Sequence, residues 1–327
     1  MLDTKYDNRS ADTLLVAFGV CTFRRPALSN ALKSLLAQTL IQDRKCCIIV
    51  ADNDDTPSAE ALTRQIADEF PTIPVHYVHA PARNISIARN ALLKRAAELG
   101  ADFIAVMDDD EVASQDWARQ LLNEITTSGA DAVLGPVTAV YRPDAPDWMK
   151  NARLHDISPV IQPDGRIITG YTSNVILRLD SAHLRGRWFD HAFGTSGGED
   201  DVYFHGMVRD GGKIGFASSA IVYEDVPQNR EQLKDLLRRY FRAGQTHGLI
   251  SRPDTRFRRI MAFFNAAAKA AALLAWAGLN IFAPGRRTRS LMRASLHLGV
   301  CWQILGGKMF VIYGSKPRIG TQSPRGD

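Results

Sequence analysis

The feature that most constrains the fold is an alternation of short apolar runs with amphipathic segments in the first third of the chain. The apolar runs have the length of strands and lie at 14–21, 46–51, 75–79 and 103–107. The segments between them place apolar residues at helical spacing, which predicts helices over 26–38, 57–70 and 86–99. Strands that alternate with helices form βαβ units, so we predict an α/β fold with a mainly parallel sheet flanked by helices. Ligands of such sheets bind at the carboxyl ends of the strands.

The pattern is less regular after residue 110. It predicts helices at 117–127, from 197 to 211 and over 229–243. It also predicts strands at 131–141, 167–179 and 213–226. Prolines at 143, 146 and 163 indicate a loop between the first two of these strands.

Charge divides the chain near residue 227. The residues up to that point hold 22 Lys and Arg against 31 Asp and Glu, whereas the remainder holds 18 against 4. The chain is therefore an acidic body with a basic tail. Such a tail suits nucleic acid, an anionic lipid surface or a phosphorylated substrate, and composition alone does not separate the three.

Two long apolar segments, 260–284 and 296–313, lie within the basic tail. Each contains a lysine and both are rich in alanine and glycine, so neither is an uninterrupted spanning helix. Arginines flank the segments, which favours an interfacial or re-entrant hairpin on an anionic leaflet. The alternative is a helical subdomain that packs on the rest of the protein.

Two features predict a reducing, cytoplasmic compartment. Residues 1–12 are polar and do not form a secretory leader. The four cysteines, Cys21, Cys46, Cys47 and Cys301, lack the spacing of a disulfide framework.

A run of acids at 108–111 follows directly after the fourth apolar run. Carboxylates this close together raise one another's pKa unless a cation neutralises them. Oxygen ligands favour hard cations, so we expect a divalent metal there, Mg²⁺ or Mn²⁺. A solvated acidic turn is the alternative.

Five short motifs in one order connect these features. They are TFRRP at 22–26, ADND at 51–54, ARNISIARN at 82–90, MDDDE at 107–111 and GGEDD at 197–201. Together they resemble the family 2 glycosyltransferases of GT-A fold, and most of all the bacterial enzymes that build exopolysaccharide or lipopolysaccharide units on a lipid carrier. The resemblance implies a GT-A catalytic domain over 1–245 and a basic, apolar, helical membrane-associating region over 246–327.

The resemblance implies that a nucleotide-sugar donor binds at the strand ends. Thr22 and Asp52 match positions that hold the base and sugar, and a carboxylate can accept a hydrogen bond from the uracil imide. A capping role in the next helix is the alternative for Asp52. Arg83, Arg89 and Asn90 fall in the segment on the nucleotide side, where a guanidinium can contact base or phosphate. Arg89 can equally pair with a surface carboxylate.

The same resemblance assigns the acids after the fourth strand. Asp108 and Asp109 would lie beside the donor, and Asp108 and Asp110 would bind the metal, with Asp110 as the direct ligand. Many relatives carry a late histidine as an additional ligand. This chain has Glu224 at the comparable strand end, and its hard oxygen can replace the histidine.

The acids of the GGEDD motif supply the second half of an inverting transfer. Such a transfer needs a carboxylate that removes the proton of the acceptor hydroxyl. We assign Asp200 as this base and Glu199 as the residue that positions the acceptor. Gly197 and Gly198 give the backbone the freedom to bring both to the pocket. The alternative is an acidic helix start that only favours the macrodipole.

The basic helix over 229–243 carries Arg238, Arg239 and Arg242. Guanidinium groups bind phosphate oxygens in a bidentate way, so these arginines are candidates for the donor diphosphate or a lipid-linked pyrophosphate. A solvated helix face is the alternative. Processive relatives carry a QxxRW motif in this place, which this sequence lacks, so a polysaccharide synthase is disfavoured.

These features together predict a metal-dependent, inverting glycosyltransferase. The expected partners are a nucleotide-sugar donor, UDP-linked, a lipid-linked saccharide acceptor and the anionic surface of the membrane, on the cytoplasmic face of the inner membrane. One alternative is a sugar-nucleotide nucleotidyltransferase, which would need a glycine-rich loop where Thr22 to Pro26 stand. Another is a non-catalytic membrane adaptor. Nucleic acid is not expected, because the aromatic residues of the tail lie inside its apolar runs.

Overall fold

A seven-stranded sheet forms the centre of the molecule, which a computed structural model describes over residues 14–310. The strands are β1 (Leu15–Thr22), β2 (Lys45–Asp52), β3 (Val75–His79), β4 (Phe103–Asp108), β5 (Glu111–Ala113), β6 (Ala132–Leu134), β7 (Val137–Val140), β8 (Asn174–Arg178), β9 (Ile214–Phe216) and β10 (Val222–Asp225). The helices are α1 (Leu28–Leu36), α2 (Glu60–Glu69), α3 (Ile85–Glu98), α4 (Trp117–Ser128), α5 (Asp147–Ala152), α6 (Glu199–Arg209), α7 (Leu233–Ile250), α8 (Arg256–Leu279) and α9 (Pro284–Ile304).

The order of strands in the large sheet is β3-β2-β1-β4-β8-β6-β9. The first four strands are parallel to one another, which confirms the predicted βαβ pattern. Strand β8 is antiparallel to both of its neighbours, so the sheet is mixed on the other side. The carboxyl ends of β1, β2 and β4 therefore meet at one edge of the sheet, and we call it the carboxyl edge.

A second, three-stranded sheet has the order β5-β10-β7. It accounts for two predictions that are wrong, because 131–141 divides into β6 and β7 and 213–226 divides into β9 and β10. In each case the first half joins the large sheet and the second half joins the small one. The strand predicted over 167–179 is also shorter and comprises only β8.

Local chemistry explains the first of these breaks. Gly135 and Pro136 separate β6 from β7, and a proline has no N–H for the ladder. A Cβ on Gly135 would lie 2.3 Å from the carbonyl oxygen of Ala220. The fully buried Asn174 donates to the carbonyls of Pro136 at 2.9 Å and Ala220 at 2.7 Å. The side-chain amide of Asn174 thus hydrogen-bonds at both crossings, the points where the chain passes from the large sheet to the small one.

Two apolar layers cover the large sheet. On one face, β1 contributes Phe18 to a core shared with α1 and α4, in which Trp117 is fully buried. On the other face, β1 contributes Ala17 to a core shared with α3 and α6 that includes Phe204. Each fully buried large side chain contributes about 1.5–3 kcal/mol, so the two layers fix the strands and the carboxyl edge.

Helix α9 packs between α7 and α8. Glycines make the contact with α7 unusually close, since a Cβ on Gly244 would lie 1.9 Å from the carbonyl oxygen of Leu296. A Cβ on Gly299 would likewise lie 2.0 Å from the carbonyl oxygen of Phe241. Arg289 of α9 also donates to the carbonyl of Ala152 at the end of α5, at 2.6 Å. The backbone of α9 therefore packs directly against α7.

Helix α8 carries its large apolar side chains on the outside. The residues it buries are the alanines Ala266, Ala270 and Ala277. Its exposed apolar residues, with those of the following turn, are Phe257, Ile260, Met261, Phe264, Leu274, Trp276, Leu279, Ile281 and Phe282. Among the helices of residues 14–310, α8 alone has the length and composition needed to cross a membrane.

Helix α7 runs without a break through residue 245, the position predicted as the end of the catalytic domain. The predicted apolar segment 296–313 belongs to α9 as far as Ile304. Residues 311–313 and the polar stretch 1–12 lie outside the described residues.

Candidate active site

The carboxyl edge brings the end of β1 next to the acids that follow β4. In the sheet register, Cys21 lies opposite Asp108. The hydroxyl of Thr22 donates to Asp109 at 2.7 Å, and both residues are buried. The predicted donor residues Thr22, Asp108 and Asp109 are therefore neighbours.

Asp52, at the end of β2, is fully buried. Its carboxylate accepts hydrogen bonds from the backbone N–H groups of Asp54 at 3.0 Å and Ala59 at 2.8 Å, and from the hydroxyl of Tyr77 at 2.9 Å. The capping alternative describes these contacts, because Ala59 is the residue before α2. Asp52 thus shapes the loop of the ADND motif from within.

Asp54 and Arg24 were not singled out from the sequence, although both lie in the motifs. Arg24 Nε donates to Asp54 Oδ2 at 2.7 Å. This hydrogen bond lowers the pKa of Asp54 to about 2. Arg24 has a φ of 53°, which places it in the left-handed region. A non-glycine residue in that conformation is uncommon, and its position next to a strand end singles out Arg24 and its partner Asp54.

The acids after β4 form a crowded cluster with Glu111 and Glu224, which we call the acid cluster (Asp108, Asp109, Asp110, Glu111 and Glu224). Glu111 accepts a hydrogen bond from the backbone N–H of Asp108 at 2.8 Å. Glu224 lies directly opposite Glu111 in the small sheet. The predicted ligands Asp108, Asp110 and Glu224 are thus brought into one region.

Electrostatics shows that the acid cluster holds an excess of negative charge. Burial raises the pKa of Asp108 to about 7, and the carboxylates of Asp110, Asp109 and Glu224 add to the increase. Burial likewise raises the pKa of Asp109 to about 6 and that of Glu111 well above its ordinary value. A nearby cation would relieve this repulsion.

Two arginines at the rim partly supply that positive charge. Arg25 lies 3.4 Å from Asp110 and 3.6 Å from Asp109. Arg230 pairs with Glu224. Among residues 14–310, no three acid, histidine or cysteine side chains stand in a ready metal-binding arrangement. The donors themselves fit a hard divalent ion, since they are carboxylates, and Asp110 and Glu224 would have to turn from their arginines to bind one.

The first turn of α6 carries Glu199, Asp200 and Asp201. Gly197 and Gly198, with φ of 80° and 84°, provide the predicted turn in front of it. Burial raises the pKa of Asp200 to about 8, with Glu199 and Asp201 adding to the increase and Arg89 opposing it. A carboxylate with such a pKa is a strong base once it is ionised.

Arg89 of α3 lies between the two groups of acids. It is buried, pairs with Glu199 and stands over the ring of Phe189 at 5.7 Å. Its charge also acts on Asp108 and Asp200, so it lies between the acid cluster and α6. The alternative of a carboxylate partner thus describes Arg89, although that partner is buried.

The other predicted residues of this segment also have partners within the protein. The side chain of Asn90 donates to the carbonyl of Phe189 at 2.9 Å and accepts from its N–H at 2.8 Å. Arg83 pairs with Asp55. The start of α3 therefore holds the loop that leads to α6.

The three arginines predicted on the basic helix do not come together. Arg242 is buried and donates to the carbonyls of Ser196, at 2.7 Å, and Gly197. Arg238 and Arg239 are exposed, and Arg239 lies 3.3 Å from Asp235 one turn earlier. Arg238 and Arg242 therefore do not offer one phosphate-binding face, because α7 turns Arg242 inward to the backbone of the GGEDD turn.

Known proteins resemble this chain in sequence and in fold. The family described as glycosyl transferase family 2 matches residues 18–185. The succinoglycan biosynthesis protein ExoM of Rhizobium meliloti (strain 1021) is 44% identical over 306 residues, which cover 93% of this chain and 97% of that protein.

Among solved structures, the chain is similar in fold to S. aureus TarS. One TarS structure has a TM-score of 0.50 at 17% identity over 88% of this chain, and the chain spans about half its length, 52%. The structure of TarS 1-349 in complex with UDP has a TM-score of 0.50 at 13% identity, covering 86% of this chain and 90% of that one.

Proposed function

This chain belongs to glycosyl transferase family 2 and is a glycosyltransferase; on that premise we propose that it is a metal-dependent, inverting enzyme that uses a UDP-linked sugar donor and a lipid-linked saccharide acceptor. Family membership sets aside the nucleotidyltransferase and adaptor alternatives. The observation that carries the proposal is that the buried Arg89 interacts with two groups of acids, since it pairs with Glu199 and its charge acts on Asp200 and Asp108. An inverting transfer needs one such group beside the diphosphate and another beside the attacking hydroxyl.

In this proposal the donor lies on the carboxyl edge. Thr22 and Asp109 form one side of its site through their hydrogen bond. Arg25 is about half exposed and adjacent to Asp109 and Asp110, which suits a contact with an anionic donor. The TarS structure that contains UDP supports a uridine nucleotide as the donor.

Asp108, Asp110 and Glu224 would hold the metal, Mg²⁺ or Mn²⁺. Bound there, the metal would stabilise the negative charge of the departing diphosphate. Arg25 already faces Asp110, and Arg230 faces Glu224. Each arginine must therefore release its acid, or share it with the metal, when the metal is bound. Their presence keeps the acids paired before the donor arrives.

Asp200 serves as the base that accepts the proton of the acceptor hydroxyl. Glu199 positions that hydroxyl, and its geometry supports the role. One of its carboxylate oxygens pairs with Arg89, whereas the buried Oε2 has no hydrogen-bond partner among residues 14–310. A buried, unpaired carboxylate oxygen is costly unless a ligand supplies the missing donor, and the acceptor hydroxyl is such a donor.

The acceptor site would open toward a membrane. The large apolar side chains of α8 are exposed, and Arg252, Arg256 and Arg258 lie exposed at its start. An apolar surface bordered by cations fits the cytoplasmic face of an anionic inner membrane. The relative that is named for succinoglycan biosynthesis supports a role in building cell-surface polysaccharide at that surface.

The direct test is turnover of a panel of UDP-hexoses by the purified chain, followed as release of UDP in the presence of Mn²⁺. A lipid extract from a polysaccharide-producing bacterium supplies the acceptor in one arm, and water is the acceptor in the other. The proposal predicts release from one UDP-hexose that the extract accelerates. Release of pyrophosphate from a nucleoside triphosphate and sugar phosphate, or no turnover in either arm, would overturn it.

A further inference from the structure

We infer that Arg89 and Arg242 are positioning residues for the transfer, because they hold the turn at 196–199 from opposite sides and thereby fix the base that follows it. The inference rests on the proposed function. It replaces the contacts with donor or phosphate that their positions in the sequence suggested. Neither side chain is free to reach a substrate without leaving the turn.

The turn needs external support, because its own sequence gives it little stiffness. Gly197 and Gly198 follow one another with positive φ, and glycine has more backbone freedom to lose than any other residue. Helix α6 begins directly after them, so a shift of the turn moves Glu199 and Asp200 together. Geometry this close to the reaction must be kept within a fraction of an ångström.

Arg242 supports the turn from α7. Its Nε donates to the carbonyl of Ser196 at 2.7 Å, and Nη2 donates to the carbonyl of Gly197. Its Nη1 donates to the hydroxyl of Thr246 at 2.5 Å. Thr246 in turn packs on Gly198, where an added Cβ would lie 2.5 Å from Thr246 Oγ1. Arg242 and Thr246 thus form one buried wall behind both glycines.

Arg89 supports the turn from α3. It pairs with Glu199 in a buried position and stands over Phe189, whose ring stacks on Tyr203 of α6 at 4.1 Å. The loop before the turn is also fixed to α3, because Ser86 and Asn90 of that helix hydrogen-bond to the backbone of Asp190 and Phe189. A buried charge must stay paired, so Arg89 and Glu199 move as a unit.

The wall on the α7 side depends on the C-terminal helices. Gly248, two residues after Thr246, packs on the backbone of Val300 in α9. The side chain of Gln245 is fully buried and bonds to the carbonyl of Lys308 at 2.9 Å and the N–H of Phe310 at 3.2 Å. Contacts therefore run from the tail through α7 to the turn beside Asp200.

The test compares Arg242→Gln and Arg89→Gln with two controls on the same helices, Lys234→Gln on α7 and Arg95→Gln on α3, which lie outside the site. Turnover of the fastest UDP-hexose and binding of UDP with Mn²⁺ are measured for each. Both site variants should lower kcat by about 100-fold, the effect of a displacement near 1 Å, with donor KM and UDP Kd within about twofold of wild type. The controls should retain wild-type kcat.

The pH profile adds a readout that a merely structural role would not move. The side chains that act on Asp200 are Glu199 and Asp201, which raise its pKa, and Arg89, which lowers it, while the backbone N–H of Asp201 also favours its ionised form. Arg89→Gln should therefore shift the rise of kcat to higher pH, whereas Arg242→Gln should lower kcat without that shift. An unchanged profile in Arg89→Gln would contradict the role of Arg89.

Two milder variants keep the inference testable if a glutamine variant fails to fold. Arg242→Lys retains the buried cation but cannot span both carbonyls, and Thr246→Val removes one acceptor of Arg242. Both should lower kcat with an unchanged UDP Kd. Wild-type kcat in these variants, or a parallel loss of kcat and UDP binding, overturns the inference. Absence of turnover in the wild-type chain overturns the proposed function and this inference with it.

Discussion

The body of the protein, residues 14–232, and helix α8 place their large apolar side chains in opposite ways. In the body, Phe18, Phe103 and Trp117 are fully buried between sheet and helices. In α8, Phe257 is 72% exposed, and the buried side of the helix consists of alanines. A soluble helix shows the reverse pattern, with small or polar residues outside. The body thus encloses these large apolar side chains in its core, whereas α8 exposes an apolar surface that is suited to contact with lipid or another apolar surface.

Charge follows the same division. The acids of the body are concentrated at the carboxyl edge and at α6, where burial raises their pKa values. The basic residues lie on and around the C-terminal helices. The candidate active site and the apolar surface of α8 thus differ in composition. They are joined in structure by α7, which packs on α9 through Gly244 and reaches the catalytic turn through Arg242.

The largest expected effect comes from replacing Asp200, the proposed base, which lies in the body of the protein. Asp200→Asn should lower transfer by about 10³-fold, because general base catalysis is lost, with UDP binding unchanged. Turnover and UDP titration on the same preparation measure both. Asp210→Asn, at the far end of α6 in an exposed ion pair with Arg187, is the matched control and should be active. Loss of UDP binding in Asp200→Asn would assign that residue to the donor site instead.

The next effect concerns the acid cluster. Asp110→Ala should weaken UDP binding in Mn²⁺ by about 100-fold and leave the weak binding in EDTA unchanged, because it removes a metal ligand. Calorimetric titration gives both affinities. Asp116→Asn, an exposed acid before α4, is the control. Equal affinity of Asp110→Ala and wild type in Mn²⁺ would remove Asp110 from the ligand set.

A third prediction acts on the other region. The triple variant Phe257→Gln, Phe264→Gln, Trp276→Gln should weaken binding to vesicles of phosphatidylcholine and phosphatidylglycerol, by about tenfold per aromatic that enters the interface. Turnover with water as acceptor should remain, since all three side chains are exposed. The exposed pair Val160→Ser and Ile161→Ser, which lies on the body, is the control. Unchanged vesicle binding would show that α8 does not make the contact.

The smallest effect is a dependence of stability on pH. The folded pKa values of Asp108 and Asp200, about 7 and about 8, lie above those of unfolded chains, so the folded state binds more protons. This contribution is complete below the unfolded pKa, near pH 4, and is lost as pH rises to about 8. In EDTA, Tm should thus rise by about 2–4 °C when the pH is lowered from about 8.5 to about 6. Asp200→Asn should flatten the dependence, and a Tm that falls over this range would contradict the sign.

The sequence predicted the strands of the first third and most helices because those elements have a clear period. Strands β1, β2 and β4 are buried apolar runs that end in polar residues at one edge, and their order of motifs placed the edge correctly, while β3 is a half-buried edge strand. The crossings at Gly135 and near Ala220 were missed, since a strand that changes sheets keeps its apolar pattern on both sides. Only the position of Asn174 in three dimensions reveals the break.

The roles of single site residues could be predicted less well, for a physical reason. An arginine has the same sequence signal whether it binds a phosphate or a backbone carbonyl. Arg242 and Arg239 differ by three positions, yet α7 turns one into the protein and the other toward solvent. Helix capping was the open alternative for Asp52 and a surface carboxylate that for Arg89, but the burial that decides their roles is a property of the packed structure.

The measurement that tests the account most directly is calorimetric titration of the wild-type chain with UDP, GDP and CDP, each in Mn²⁺ and in EDTA. We expect UDP to bind in Mn²⁺, EDTA to weaken this binding greatly, and GDP and CDP to bind poorly in both. Equal binding of UDP in Mn²⁺ and EDTA would contradict the metal role of the acid cluster. Absence of UDP binding in both conditions would contradict the donor site at the carboxyl edge.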